Sequence, residues 1–185
     1  MDSLSASLAP IEPVFLNPGI RGKKDDVADG LSTFGHDLFQ VYCSDVVLVD
    51  ARDRRGIGIG IEMALAKNYN LPILALTERN TYYHKDRLEY LGQVVEPFIH
   101  PFIESLSDSV VFTTDEAASW IKDFLDKKIT KPIINKNIFT DGMKHYLYNN
   151  LKNDPFMHDI VKNNSDKMRL VEQLPAIEKE FINNI

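Results

Sequence analysis

The chain has 185 residues, 44% of them hydrophobic, and sets 21 basic against 27 acidic side chains for a formal net charge of -6. That length and apolar content suit one domain of ordinary size with an appendage, while the acidic balance disfavours non-specific binding to nucleic acid or to an anionic membrane. The single cysteine, Cys43, excludes an intrachain disulfide and a multi-cysteine zinc site, and is expected to be a buried, inert thiol.

The opening stretch MDSLSASLAP lacks the basic start and apolar run of a secretory signal, and no later apolar run approaches the roughly 20 residues that span a bilayer. A cytoplasmic protein is expected, with residues 1–12 as an N-terminal tail. EPVFLN, residues 12–17, reads as a short buried strand ending at the Pro18-Gly19 turn signal. From Ser32, STFGHDLFQVYCSD places Phe34, Leu38, Val41 and Tyr42 at helical spacing, with Ser32 as N-cap.

DVVLVDA, residues 45–51, is a β-branched run of the kind that forms a strand buried on both faces. A glycine stretch, the helix IEMALAKNYN and the run LPILAL follow, which makes a βαβ unit and implies a parallel sheet. The polar loop TERNTYYHKDR is read as partly helical through DRLEYLG. DSVVFT then supplies another strand, and TDEAASWIKDFLDKK a covering helix with Thr114 as cap and Asp115 and Glu116 at its positive end. Residues 13–128 thus read as an α/β domain with a mostly parallel, Rossmann-like or flavodoxin-like sheet flanked by helices. Residues 129–185, richer in Asn, Lys and Asp and cut by prolines, read as a helical C-terminal extension.

The chemistry concentrates in RRGIGIGIEMALAKN, residues 54–68. Gly56, Gly58 and Gly60 fail the dinucleotide fingerprint in spacing and context, and no G-K-[ST] follows to make a P-loop. Glycines before a helix do let a ligand approach the main chain and the positive helix end, so they read as a pocket floor with Glu62 in the first helical turn. A favourable charge at a helix start explains Glu62 equally well at this point. Asp37, Asp45, Asp50 and Asp53 surround the same strand, with Asp50 at its carboxyl end. Carboxylates converging on one pocket suit chemistry at a sugar carbon. NPGIRGKKDD, residues 17–26, carries Arg21, Lys23 and Lys24 on a glycine-rich turn and reads either as a phosphate grip or as a solvated basic loop. The histidines lack metal-ligand spacing, so no metal and no cofactor is expected. His36 reads as a surface or capping residue, or as one that tunes Asp37. Tyr82, Tyr83 and Trp120 read as packing or pocket wall.

VFLNPGIRGKKDD, HDLFQVYCSDVVLVD and GIGIGIEMALAKNYNLPILAL together resemble the signatures of the nucleoside 2-deoxyribosyltransferase superfamily, which includes the 2'-deoxynucleoside 5'-monophosphate N-hydrolases. The resemblance covers roughly residues 13–126. It implies cleavage or transfer at the N-glycosidic bond of a nucleoside or nucleoside 5'-monophosphate, with Glu62 as the nucleophile and Asp37 assisting. It further implies a 5'-phosphate loop at Gly19, Ile20, Arg21 and Gly22, substrate contacts from Phe15, Asn17, Asp50, Gly56, Gly58 and Gly60, and a homodimer or larger homo-oligomer. Phe15 stands where family members often carry a tyrosine, Gly56 where they carry a polar residue, and about ten residues replace the usual helix and strand before Ser32. Those departures support two alternatives: a non-catalytic nucleotide-binding or interaction module, and a hydrolase of a larger nucleotide such as NAD.

Overall fold

A computed structural model describes residues 2–17, 29–54, 56–90, 92–129 and 137–163. The phosphate-loop residues Gly19, Ile20, Arg21 and Gly22 lie outside these described residues, as do Lys23 and Lys24.

The fold is α/β around a parallel sheet. Strand β1 (Val47–Asp50) leads through helix α3 (Gly58–Asn68) to β2 (Ile73–Leu76), and the two strands pair in parallel from Val47 opposite Ile73 to Asp50 opposite Leu76. β7 (Ser109–Val111) adds in parallel on the other side of β2, with Leu74 opposite Ser109 and Leu76 opposite Val111. Among the described residues the sheet has these three strands, in the order β1-β2-β7. The βαβ unit expected from the alternation of apolar runs is therefore present.

β2 is buried along its whole length because both of its faces are covered. Side chains alternate across a strand. Leu74 and Leu76 join Val111 and the helix α5 (Thr114–Leu125) residues Ala117, Ala118 and Ile121 in one apolar cluster. Ile73 and Ala75 take the other face, where α3 packs with its buried Met63 and Ala66 and meets α4 (Pro101–Leu106). Helix α2 (Gly30–Tyr42) packs in turn on α3.

Several expectations change. Residues 12–17 form neither helix nor strand, and Val14 is 85% exposed. An apolar run becomes a strand only where a sheet edge receives it, and Pro13 removes one ladder donor. The N-terminal residues are more than a tail: α1 (Asp2–Leu8) packs on α5 and buries Leu4 and Leu8 in the same cluster. The cap of α2 is Asp29, whose carboxylate accepts from Ser32 N at 2.7 Å, so Ser32 sits inside the first turn. Likewise Thr113, in extended backbone, caps α5 by accepting from Glu116 N at 3.1 Å, while Thr114 is already helical. Cys43 is exposed, one residue past the last turn of α2.

No described residue of DRLEYLG is helical. The segment between β2 and α4 holds four short strands, β3 (His84–Lys85), β4 (Leu88–Tyr90), β5 (Gln93–Val95) and β6 (Phe98–Ile99). β4 and β5 form an antiparallel hairpin in which Tyr90 faces Gln93. Gly92 in its turn has φ of 75°, a left-handed conformation that ends a helix and suits a tight hairpin.

The described residues 137–163 belong to a second compact unit. Its described part is helical, with α6 (Ile138–Asn149), a single 3-10 turn (Leu151–Asn153) and α7 (Pro155–Lys162). Leu147, Leu151 and Val161 are buried in it. Asp154 caps α7 by accepting from Met157 N at 3.1 Å and also accepts from the Tyr146 hydroxyl at 2.6 Å. No described helix is long and apolar enough to cross a membrane.

Candidate functional site

In an open parallel sheet the strand-to-helix connections at the carboxyl edge form the usual ligand crevice. Among the described residues that edge is made by residues 51–54 and 56–57 after β1, Thr77 onward after β2, and Phe112-Thr113 after β7.

Helix α3 begins at Gly58 with Ile57 as N-cap, and no side chain caps its first turn. Gly56 and Gly60 have open space where a Cβ would stand, and neither they nor Gly58 has a positive φ. The glycines therefore supply room rather than an unusual backbone path. Gly58 is specific in this respect: a Cβ there would lie 3.7 Å from Glu62 Oε1. Side chains on a helix lean toward its N-terminus, which carries the Glu62 carboxylate back over Gly58.

Glu62 falls in the second turn, not the first, and the first turn of α3 has no acidic residue. The helix-dipole reading of Glu62 loses most of its force, because that effect fades beyond the first turn. Its surroundings oppose its charge. Burial raises the Glu62 carboxyl above the ordinary glutamate value, and the negative charge of Asp37 across the α2–α3 packing raises it further. Among the described residues Glu62 has neither a hydrogen-bond donor nor a cationic partner. Asp37 and Glu62, 25 positions apart in sequence, are thus electrostatically coupled in the fold.

Asp50 ends β1 as expected, but Arg52 grips it by two bonds: Arg52 Nε donates to Oδ1 at 2.9 Å and Nη2 to Oδ2 at 2.8 Å. The same pairing, with Glu78 and Asp53 nearby, raises the Arg52 guanidinium. Asp50 therefore presents a neutralised pair at the edge rather than a second open carboxylate. Asp45 does not converge on the site. It is exposed and precedes the first residue of β1, so it stands beyond the amino end of the strand, away from the carboxyl end that Asp50 forms. Phe15 and Asn17 stand on the irregular segment 12–17, outside the sheet.

Two residues at this edge, Arg52 and Thr77, escaped the sequence reading as site components. Arg52 was passed over as part of a charged connection. Thr77 follows β2 and is buried, and its hydroxyl lies 3.4 Å from Nδ1 of buried His84. Burial lowers the His84 imidazole, with Arg79 contributing in the same direction. Tyr82, read from sequence as packing or pocket wall, carries the Arg54 guanidinium 5.1 Å from its ring centroid. Position at strand carboxyl ends was the available signal for Arg52 and Thr77.

The described residues contain no group of histidines, cysteines and carboxylates that could hold a metal ion. What the arrangement offers is carboxylate chemistry: one desolvated glutamate under the field of an aspartate, beside space that glycines leave open. No family model, no curated protein and no solved structure matches this chain.

Proposed function

We propose that this protein cleaves or transfers at the N-glycosidic bond of a nucleoside or nucleoside 5'-monophosphate, on a Rossmann-like domain. The observation that carries the reading is the coupling of Glu62 to Asp37 at the edge of a parallel sheet, the two positions that the deoxyribosyltransferase resemblance nominates. Glu62, as carboxylate, attacks the anomeric carbon. The C–N bond breaks, the base leaves with a proton, and a glycosyl ester remains on Glu62. Water then hydrolyses the ester, or a second base displaces it. Asp37 handles the proton or binds the sugar. Desolvation suits Glu62 to this role because a poorly hydrated carboxylate is the stronger nucleophile, and the open space at Gly56, Gly58 and Gly60 leaves it approachable.

A homo-oligomer accompanies this reading. Leu31 and Phe34 on α2, Ile61 on α3 and Ile57 at its N-cap are large exposed apolar residues on or beside the helices that carry Asp37 and Glu62. A cytoplasmic location is part of the same proposal.

The test is release of free base, followed by liquid chromatography, from 2'-deoxynucleosides, their 5'-monophosphates and NAD. Release by the wild type that is lost in Glu62→Ala supports the reading, and the member consumed identifies the branch. Activity should fall as pH drops into the raised Glu62 range, because protonation removes the nucleophile. Ligand binding without release by either protein would replace the enzyme with a binding module. Release from NAD alone would make it a hydrolase of the larger nucleotide.

A further inference from the structure

His84 is 3% exposed, and three elements hold its ring at the carboxyl edge of the sheet. Its own strand, β3, pairs with β6 and sets His84 opposite Ile99. Thr77, the first residue after β2 and wholly buried, brings its hydroxyl to 3.4 Å from Nδ1, at the long end of hydrogen bonding. Phe112, the first residue after β7, sets its ring centroid 5.1 Å from that of the imidazole. The Phe112 backbone is fixed in turn, because its N–H donates to the Glu116 carboxylate at 2.8 Å at the capped start of α5. Rings held in place by neighbours on separate elements have little freedom left to lose when a ligand arrives.

A histidine that only fills a core has its polar atoms paired or sealed away. His84 departs from that pattern at one nitrogen. Among the described residues Nε2 makes no hydrogen bond, and it is not one of the buried polar atoms left without a partner, so it opens to the surface. Beside it the large apolar ring of Phe112 is 45% exposed. The charged groups that act on the imidazole, Arg79 and Asp86, are exposed and pair with each other at 3.8 Å. An open aromatic face next to one hydrogen-bonding nitrogen matches a flat heterocycle with a polar edge better than an anion or an aliphatic chain. Either imidazole tautomer serves. If the Thr77 hydroxyl donates to Nδ1, Nε2 carries the proton and donates; if Nδ1–H donates to Thr77, Nε2 accepts. Nucleobase edges present both kinds of partner.

We infer that His84 and Phe112 form a base-recognition subsite at the carboxyl edge: a nucleobase stacks on the exposed face of Phe112 and makes one hydrogen bond with His84 Nε2, while Thr77 orients the imidazole. The choice of a nucleobase rests on the proposed glycosidic reaction; the class, a flat heterocycle with a polar edge, rests on the two rings alone. His84 and Phe112 touch the ligand. Thr77 is a positioning residue that acts through His84.

The experiment is heteronuclear NMR of the imidazole nitrogens in full-length, histidine-labelled protein. Adenine, hypoxanthine, cytosine and thymine are added in turn, with benzyl alcohol as a ring that has no hydrogen-bonding edge. The His84 signals are assigned by their loss in His84→Phe, whose ring keeps the packing on Phe112, and circular dichroism checks each variant for an intact fold. At least one base should shift the wild-type Nε2 signal, and benzyl alcohol should not. Affinities follow from the same titrations observed on the ligand. His84→Phe should weaken binding of that base about tenfold, as expected for one lost hydrogen bond, and Phe112→Leu by roughly as much through lost stacking. Thr77→Val should redistribute the ring proton between Nδ1 and Nε2 in the free protein, which a threonine that merely packs would not do. Bases that leave Nε2 unmoved, or that bind His84→Phe as tightly as wild type, overturn the inference. Base release is assayed alongside on the same proteins. Release with the His84 signals unmoved sinks the subsite and leaves the glycosidic reading standing. Base binding at His84 with no release from any substrate sinks the glycosidic reading alone.

Discussion

The two halves of α3 each take an ionisable side chain out of water, and they treat it in opposite ways. Lys67, near the carboxyl end, is wholly buried, and its ammonium pairs with Asp108, which also accepts from Ile73 N at 2.7 Å. Desolvation pulls the Lys67 ammonium down, and the Asp108 partner pulls it back. Glu62, five residues earlier, is less buried but has no compensating partner among the described residues, and Asp37 opposes its charge. A buried charge that is paired and hydrogen-bonded fastens a helix to a sheet. A charge left uncompensated under a like charge is held against stability, the kind of perturbation that clusters at functional sites. Backbone bonds support the same division, since Asp108 N also donates to Ile73 O at 2.8 Å beneath the sheet.

The largest expected effect breaks the fastened end. Lys67→Ala strands Asp108 in the interior and should cost about 3–5 kcal/mol, the range for removing one partner of a buried pair. Urea unfolding measures it, and a loss below 1 kcal/mol would show that the pair is not structural. Lys67→Met with Asp108→Leu should recover part of that loss, limited by the orphaned Ile73 N–H.

Next in size is the opposite sign at the other end. Glu62→Gln should stabilise the protein at pH 7, within the roughly 0.5–2 kcal/mol typical of favourable single substitutions. The folded pKa of Glu62 is raised, so its contribution is fully present below the ordinary value of 4.5 and is lost as pH rises through the folded value. The advantage of the variant should therefore be full above the raised folded value and vanish as the medium approaches pH 4.5. An equal advantage at both ends of that window would deny that Glu62 is held against its charge.

Gly60→Ala separates glycine from function. Its Cβ meets nothing, so helix propensity alone should give up to ~1 kcal/mol of stability. Gly58→Ala should gain less and should also alter the Glu62 titration, because its methyl group stands 3.7 Å from the carboxylate. Melting temperatures and a carboxyl-carbon NMR titration of Glu62 separate the two.

The smallest effect sharpens the site end. His84 is buried with its pKa lowered, so its contribution is present above 6.5 and is lost as pH falls toward the folded value. Stability should decline on acidification from pH 6.5, and His84→Gln should flatten that decline.

Much of the α/β body was legible as sequence. Val47 to Val49, Ile73 to Leu76 and Val110-Val111 are short apolar runs separated by helical patterns, and each lies in a parallel strand. Periodicity reads a strand because burial on both faces demands continuous apolar residues. The apolar run of residues 12–17 carried the same local signal and formed no strand, since pairing needs a neighbouring edge that local composition does not specify. The caps moved from Ser32 to Asp29 and from Thr114 to Thr113 because several nearby side chains can accept from a free helix N–H, and backbone dihedrals choose between them.

Of the candidate site, the sequence by itself determined the residue types: a glutamate after three spaced glycines, an aspartate on the preceding helix, and an aspartate ending the strand. Only the tertiary structure decided how they act. Packing of α2 on α3 puts the charge of Asp37 on Glu62, folding of Arg52 back onto Asp50 neutralises the strand-end carboxylate, and the direction of β1 sends Asp45 to the far edge. Each of these depends on distances between residues remote in sequence or on side-chain direction. Electrostatic work falls with separation in space, which residue spacing along a chain does not encode.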